Sequence, residues 1–191
     1  MMSYLSDAGV FLVDTVLGFY ILIVMFRFLL QLARADFYNP LSQFVVTVTN
    51  PPLTRLRKVI PGLWGIDLAS VVLLVFLESL RLGLITIMLG HSSRPFGVLI
   101  LSIAELLKLA TYIAIFGIFV RAILSWFSSG RSHPLTHLLE SLTELVLQPT
   151  RRLLPSTIGL DLSPLLAFIF LVLSLKLVTQ PLIDLGRKLI Y

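Results

Sequence analysis

Residues 10–32 read VFLVDTVLGFYILIVMFRFLLQL, a long apolar run interrupted by only two charges, Asp14 and Arg27. A helix of roughly 20 predominantly apolar residues crosses the hydrocarbon core of a bilayer. The run therefore predicts a transmembrane helix.

No basic segment precedes it, Asp7 stands there instead, and no small-residue cleavage site is visible. We therefore expect this helix to remain in the mature protein rather than to be removed as a signal peptide.

Three further apolar stretches of similar length follow at residues 68–89, 103–126 and 162–183. The whole chain is 57% hydrophobic and 13% charged, compared with about 25% charged residues in soluble domains, and its mean hydropathy is +0.98. The sequence therefore predicts an all-α membrane protein with four transmembrane helices. It contains no cysteine, which excludes disulfides, thiolate nucleophiles and iron–sulfur ligation by this chain alone.

The chain contains two copies of one unit, because several landmarks recur at an offset of 94 residues, beginning with Arg27 and Arg121. The other matches are Pro40-Leu41 with Pro134-Leu135, Arg57-Lys58 with Arg151-Arg152, Pro61 with Pro155, and Gly65-x-Asp67-Leu68 with Gly159-x-Asp161-Leu162. Each unit contributes two spans, so both units enter the membrane in the same direction. We expect two parallel tandem repeats, residues 1–94 and 95–191, related by a pseudo-twofold axis along the membrane normal.

Between the two spans of each unit lies a segment that is too polar to cross the bilayer. In the second unit, apolar residues recur at helical spacing opposite a polar face: Leu135, Leu138, Leu139, Leu142 and Leu145. In the first unit, Asn39-Pro40 offers an N-cap acceptor followed by proline at the first helical position. These patterns predict an amphipathic helix on the membrane surface in each unit. The β-branched run at residues 45–49 leaves a short extended segment as the alternative in the first unit, and either segment could lie flat or re-enter the membrane.

Basic residues are distributed unequally between the two sides of the membrane. Side A, which comprises the connections after the first and third spans, carries seven basic residues: Arg34, Arg55, Arg57, Lys58, Arg131, Arg151 and Arg152. Side B, which comprises both termini and the central connection, carries three: Arg94, Arg187 and Lys188. The positive-inside rule then places side A in the cytoplasm and both termini outside it. The net charge of +5 is explained by topology, so no nucleic acid partner is expected. Arg55, Arg57, Lys58, Arg151 and Arg152 are expected at the level of anionic lipid head groups.

The repeated unit resembles the YggT family, related to plastid YlmG-type proteins. The resemblance is carried by a span with a late arginine, an Asn/His-Pro-Leu start of the surface helix, an Arg-Arg/Lys-x-Ile/Leu-Pro turn and a Gly-x-Asp-Leu start of the next span, and it covers nearly the whole chain. The first unit departs from the pattern, because Ala69-Ser70 stands where the second has Ser163-Pro164. The resemblance implies a bacterial inner-membrane protein linked to osmotic and envelope stress, and it implies no chemical activity.

Two arginines are expected within the side A half of their spans, where a charged guanidinium needs a partner or must reach the interface. One hypothesis pairs Arg27 and Arg121 with Asp67 and Asp161 at the starts of neighbouring spans. The alternative is an anion or lipid-phosphate site, because a guanidinium suits bidentate phosphate contact. The two aspartates could also serve simply as helix N-caps.

Other charges lie deeper in the predicted spans. Asp14 corresponds to Lys108 at the offset of 94, which suggests an ion pair across the axis, and Glu78 and Arg81 stand three apart on one helical face. The alternative is that these four residues, with Lys176, line a hydrated path for ions or protons. His133 and His137 lack a third ligand, so no metal site is predicted.

These patterns leave two classes of function open. No GxSxG, HExxH or Walker A motif is present, so neither an enzyme nor a cofactor is predicted. The leading hypothesis is a non-enzymatic membrane protein that senses, organises or stabilises the envelope by binding anionic phospholipid, or an unknown protein partner, on its cytoplasmic face. Its association with osmotic or envelope stress is what the resemblance implies. The alternative is an ion or small-solute channel or transporter, which would require a homo-oligomer because four spans leave little room for a pathway.

Overall fold

The structure is a computed structural model in which residues 4–63, 65–91, 94–127, 134–153 and 162–190 are described. Within these ranges the chain is helical, without a strand beyond an isolated bridge between Leu63 and Ile66. The helices are α1 Tyr4–Leu32, α2 Pro40–Leu56, α3 Leu68–Met88, α4 Pro95–Phe127, α5 Pro134–Leu153, α6 Ser163–Ser174 and α7 Gln180–Ile190. A π-helical segment, Leu175–Thr179, joins α6 to α7.

Four continuous helical stretches are long and apolar enough to cross a membrane: Tyr4–Leu32, Leu68–Met88, Pro95–Leu124 and Ser163–Ile190. The last of them comprises α6, the π-helical segment and α7. Their outward faces carry large apolar side chains, including Phe11, Phe76 and Phe116, each more than 60% exposed. Such a surface suits hydrocarbon rather than water. The prediction of an all-α membrane protein with four spans is therefore confirmed. The parallel arrangement of the two units, with bounds at 1–94 and 95–191, stays a prediction.

The surface segments of both units form helices, α2 and α5. Asn39 caps α2, since its Oδ1 accepts a hydrogen bond from the Leu41 backbone N–H at 3.0 Å, and Pro40 occupies the first turn. The helix continues through residues 45–49, so the extended alternative is wrong. Burial explains this outcome, because Val45, Thr49 and Leu53 form an inward stripe at helical spacing, and tertiary packing overrides the modest β preference of branched residues.

The spans pack in a row, with α1 against α3, α3 against α4, and α4 against α7. The α1–α3 contact is apolar and centres on Ile21, Val24, Leu73 and Leu74, which α4 joins through Leu106. The contact between α4 and α7 is also apolar, through Leu101, Ile183 and Ile190 among others, and the two backbones approach closely at Gly97 and Gly186. The helix α2 packs on α1 and α3, and α5 packs on α4, α6 and the side A end of α1. Both surface helices are thus fixed to the bundle.

Candidate functional site

Arg27, near the side A end of α1, is almost completely buried at 4% exposure. Its Nη1 donates to Thr49 Oγ1 at 2.6 Å and to the Val46 carbonyl at 3.1 Å. The Thr49 hydroxyl donates in turn to the Val45 carbonyl at 2.6 Å, within α2. The arginine therefore ties the first span to the surface helix that follows it.

The second unit repeats this contact. Arg121 Nη1 donates to Thr143 Oγ1 at 2.8 Å, and the Thr143 hydroxyl donates to the Leu139 carbonyl at 2.7 Å. Thr143 follows Thr49 by the same 94 residues that separate the two arginines. The sequence reasoning missed both threonines, although the offset itself contained the signal. We call these two contacts the arginine–threonine clamps.

Asp67 contacts Arg57 rather than the expected Arg27. Arg57 Nε donates to Asp67 Oδ2 at 3.2 Å, and its Nη2 donates to the same oxygen and to Gln31 Oε1. The Ser70 hydroxyl donates to Asp67 Oδ2 at 2.6 Å. The physical reason is that α2 already holds the Arg27 guanidinium, whereas Arg57 immediately follows α2 and lies only ten residues before Asp67. Asp161, the expected partner of Arg121, lies outside the described residues.

The two clamps differ in charge. Arg121 lies 3.4 Å from Glu144 Oε2, and Arg151 Nη1 donates to Glu144 Oε1 at 2.8 Å. Among the described residues, Arg27 has no carboxylate within ion-pair distance, and its buried Nε lacks a hydrogen-bond partner. The position that corresponds to Glu144 is Asn50, which is neutral. The first clamp therefore holds a buried cation on neutral acceptors alone.

The Asp67 carboxyl titrates below its usual range. Its burial acts to raise the pKa, but hydrogen bonds from Arg57 and Ser70 together with the Arg57 charge outweigh that effect and lower the pKa. A carboxyl whose pKa is depressed by folding contributes stability above its unfolded pKa, and this stability disappears as the pH falls through the folded pKa.

Asp67→Asn is therefore expected to lower stability at neutral pH by about 1 kcal/mol, because the hydrogen bonds to a charged group weaken while the half-exposed Arg57 remains screened by solvent. Thermal unfolding in detergent at pH 7 and at progressively lower pH measures this. The difference from the wild type should shrink on acidification. A constant difference at all pH values would mean that the Asp67 charge contributes nothing.

The basic ends of the two surface helices are exposed to the surroundings. Arg55, Lys58 and Arg152 are exposed and have no carboxylate within ion-pair distance among the described residues, whereas Arg57 and Arg151 are partly occupied by Asp67 and Glu144. Side A therefore presents cations that are available to anions.

Deeper charges form two groups instead of the expected Asp14–Lys108 pair. Arg81 donates to Asp14 and, through Nε at 3.0 Å, to Glu78 Oε2. Lys108 Nζ lies 3.1 Å from Glu105 Oε2, three residues earlier on α4. Lys108 is held by an i,i+3 neighbour on the same helical face, whereas Asp14 pairs across helices with Arg81 of α3. The structure thus brings Glu78 and Arg81 together, as expected, and gives Asp14 and Lys108 different partners.

A cavity of about 270 Å³ lies between α1, α3 and α4 beside these groups and is lined by Gly18, Glu78, Arg81, Glu105 and Lys108, among others. Lys176 is exposed on the π-helical segment of the fourth span. Within the described ranges, no group of three His, Cys, Asp or Glu side chains could hold a metal ion. His133 lies outside the described residues, and His137 Nδ1 lies 3.7 Å from Glu140 Oε2.

The CCB3/YggT family model matches residues 6–88 and again residues 100–190. The chain belongs to this family. It is 42% identical over 182 residues to the uncharacterized protein PA0392 of Pseudomonas aeruginosa, covering 94% of this chain and 90% of that protein. It is also 38% identical over 164 residues to the uncharacterized protein YggT of Escherichia coli K12, covering 84% of each. No solved structure matches the chain significantly.

The family model matches the chain twice, which is consistent with an internal repeat, and each matched segment contains one arginine–threonine clamp. The descriptions of the two relatives name no activity.

Proposed function

We propose that this CCB3/YggT protein is a non-enzymatic, multi-pass protein of a bacterial inner membrane that binds anionic phospholipid on its cytoplasmic face and thereby supports the envelope under osmotic stress. The observation that carries the proposal is the pair of surface helices, each clamped to a span by an arginine and each ending in exposed cations. Cations near an anionic membrane surface contribute about 1 kcal/mol each to lipid attraction.

Three further arguments support the proposal. Side A carries the larger share of basic residues, which favours a cytoplasmic position and an external position for both termini. The relatives named above are bacterial, and a helical multi-pass protein of a bacterium with two membranes belongs to the inner one because outer-membrane spans are β-barrels. The link to osmotic stress rests on the family resemblance alone.

The head-group contacts can be tested by removing the exposed cations together, in Arg55→Gln/Lys58→Gln/Arg152→Gln. Native mass spectrometry from nanodiscs that contain phosphatidylglycerol measures retained lipid. At about 1 kcal/mol per cation, the triple variant should bind phosphatidylglycerol on the order of 100-fold more weakly than the wild type.

The matched control removes three side B cations, in Arg94→Gln/Arg187→Gln/Lys188→Gln. It should lose much less lipid, because its cations are not arrayed on clamped surface helices. Equal losses in both triple variants would contradict a specific side A site. In a bacterium that lacks its own family member, the side A variant should also fail to restore growth after an osmotic upshift.

A second candidate function is an oligomeric ion channel or transporter. The observation in its favour is the cavity between α1, α3 and α4, where Glu105 and Lys108 are both only partly buried, since ionisable groups within a membrane often mark ion pathways. Ion flux into liposomes separates the two functions. Flux that disappears in Glu105→Gln/Lys108→Gln would favour transport over lipid organisation.

A further inference from the structure

The charged side chains between α1, α3 and α4 carry one negative charge more than they carry positive ones. Arg81 donates to Asp14 and, through both Nε and Nη2, to Glu78, so two carboxylates share one guanidinium. Glu105 and Lys108 line the same cavity and pair with each other, which leaves this balance unchanged. Within the part of the chain that the structure describes, these five side chains make no further ion pair. The group therefore has a single excess negative charge.

Asp14 is the member of this group that presents the excess charge to the surroundings. Its side chain is 53% exposed, whereas that of Glu78 is 3% exposed. Large apolar side chains surround it on the outer face of α1, namely Phe11, Leu12 and Val16, and all of them are exposed. In a membrane this surface meets lipid chains or another apolar surface, where an ion without a full counter-charge is costly.

Lys176 presents the opposite charge on the fourth span. It is exposed, lies in the π-helical segment Leu175–Thr179, and has no carboxylate partner among the described residues. Its neighbours Leu177 and Val178 are each more than half exposed. At a rise of roughly 1.5 Å per residue, Lys176 lies about 20 Å from either end of its span, too deep for its ammonium group to reach an interface of a hydrocarbon core about 30 Å thick. π-helical turns are rare and frequently occur at functional sites.

The two excess charges lie at similar depths in the membrane. The fourth span runs antiparallel to α4, and the two backbones approach where Gly186 meets Leu101. Continued along both helices, this register places Lys176 about one helical turn from the level of Lys108. Lys108 lines the same cavity as Arg81, the shared guanidinium of the negative group. A lysine side chain is long enough to span this difference in depth.

We infer that a second copy of this chain supplies the partner of each charge, and that Lys176 of one protomer pairs with Asp14 of the other in a twofold dimer. The two excess charges are equal and opposite, and both stand on exposed apolar surfaces. A twofold axis forms the same contact twice, so that every charge named above has a partner within the bilayer. This contact lies inside the membrane and does not rest on lipid binding at side A.

The first test removes one lysine at a time. Single-molecule photobleaching of dye-labelled protein in phosphatidylcholine liposomes, which contain no anionic lipid, gives the dimer dissociation constant as the protein is diluted. Lys176→Gln should raise this constant at least tenfold, because both contacts of the dimer are lost together. Lys188→Gln, which removes the same charge from an exposed position on α7, should leave the constant unchanged.

An exchange of charges identifies the partner of Lys176. Asp14→Lys and Lys176→Asp each bring like charges together at both contacts, so each variant should dimerise weakly with itself. When the two variants are mixed, opposite charges meet again at both contacts, and heterodimers should exceed either homodimer at least tenfold. Val16→Lys, at an exposed position on the same helix, should instead dimerise with itself in preference to Lys176→Asp.

A wild-type chain that stays monomeric at every protein density, or a Lys176→Gln variant that dimerises like the wild type, would overturn the inference. Should Asp14→Lys fail to fold because it disturbs Arg81, the comparison of Lys176→Gln with Lys188→Gln still decides, since both lysines are exposed. The surface variant Arg55→Gln/Lys58→Gln/Arg152→Gln should keep the dimer. Failure of the dimer and failure of lipid binding at side A are therefore distinguishable.

Discussion

Gly97→Ala and Gly186→Ala are each expected to destabilise the protein by about 1–3 kcal/mol, the range for overpacking a tight contact. A Cβ at residue 97 would lie 2.6 Å from the Ile190 nitrogen, and a Cβ at residue 186 would lie 2.8 Å from the Leu101 nitrogen. Both obstacles are backbone atoms, so no side chain can rotate away. The helices α4 and α7 would have to separate. Thermal unfolding in detergent measures the effect.

The chain supplies matched controls for this change. A Cβ at Gly18 in α1 or Gly83 in α3 would meet nothing within 4 Å. The same substitution there should stabilise the protein slightly, by about 0.5–1 kcal/mol, because alanine restricts the unfolded chain and favours helix. Gly9 should fall between the two classes, since its obstacle is the flexible end of Met88. Similar effects at all five glycines would show that α4 and α7 do not approach closely.

The close approach has a structural reason that hydropathy does not reveal. The helix α7 places Ile183, Gly186 and Ile190 inward, while Asp184 and Arg187 are exposed. In a bilayer, lipid chains are as apolar as leucine, so helices associate through close packing rather than through the hydrophobic effect. Close approach at Gly97 and Gly186, together with the apolar contacts of Ile183 and Ile190, therefore holds this half-polar helix against α4.

Sequence reasoning predicted the four spans and the two surface helices well, because each depends on a pattern along one segment. Runs of apolar residues such as 10–32 identify a span without knowledge of its neighbours. The N-cap at Asn39 and the helical periodicity of residues 135–145 are equally local.

Partners across helices were predicted poorly, since they depend on how each helix is rotated about its axis. Charge alone paired Arg27 with Asp67 and Asp14 with Lys108. The structure instead gives Arg27 a threonine and Asp14 an arginine, Arg81. A threonine carries no charge and is common in helices, so it attracts no notice as a partner. Only the 94-residue offset, applied to every polar residue, would have selected Thr49 and Thr143.

Thr49→Val is expected to destabilise the protein by about 2–3 kcal/mol, the cost of removing an acceptor from a buried charged donor. Valine preserves the shape of threonine, so the change isolates the hydroxyl. Arg27 would then hold its charge on the Val46 carbonyl alone, with Nε already lacking a partner. Thr143→Val should cost less, about 1 kcal/mol, because the half-buried Arg121 keeps Glu144 as a second partner and can reach solvent or lipid head groups.

Thermal unfolding of both variants in one detergent gives the comparison. Equal losses of stability would mean that the clamp arginine gains nothing from a carboxylate at the position of Glu144, where the first unit has Asn50. No loss of stability in Thr49→Val would show that the first clamp does not hold α2. If the larger loss falls on Thr49, the two units have divided their tasks: the first clamp anchors its surface helix rigidly, and the second keeps an arginine free enough to meet an anion.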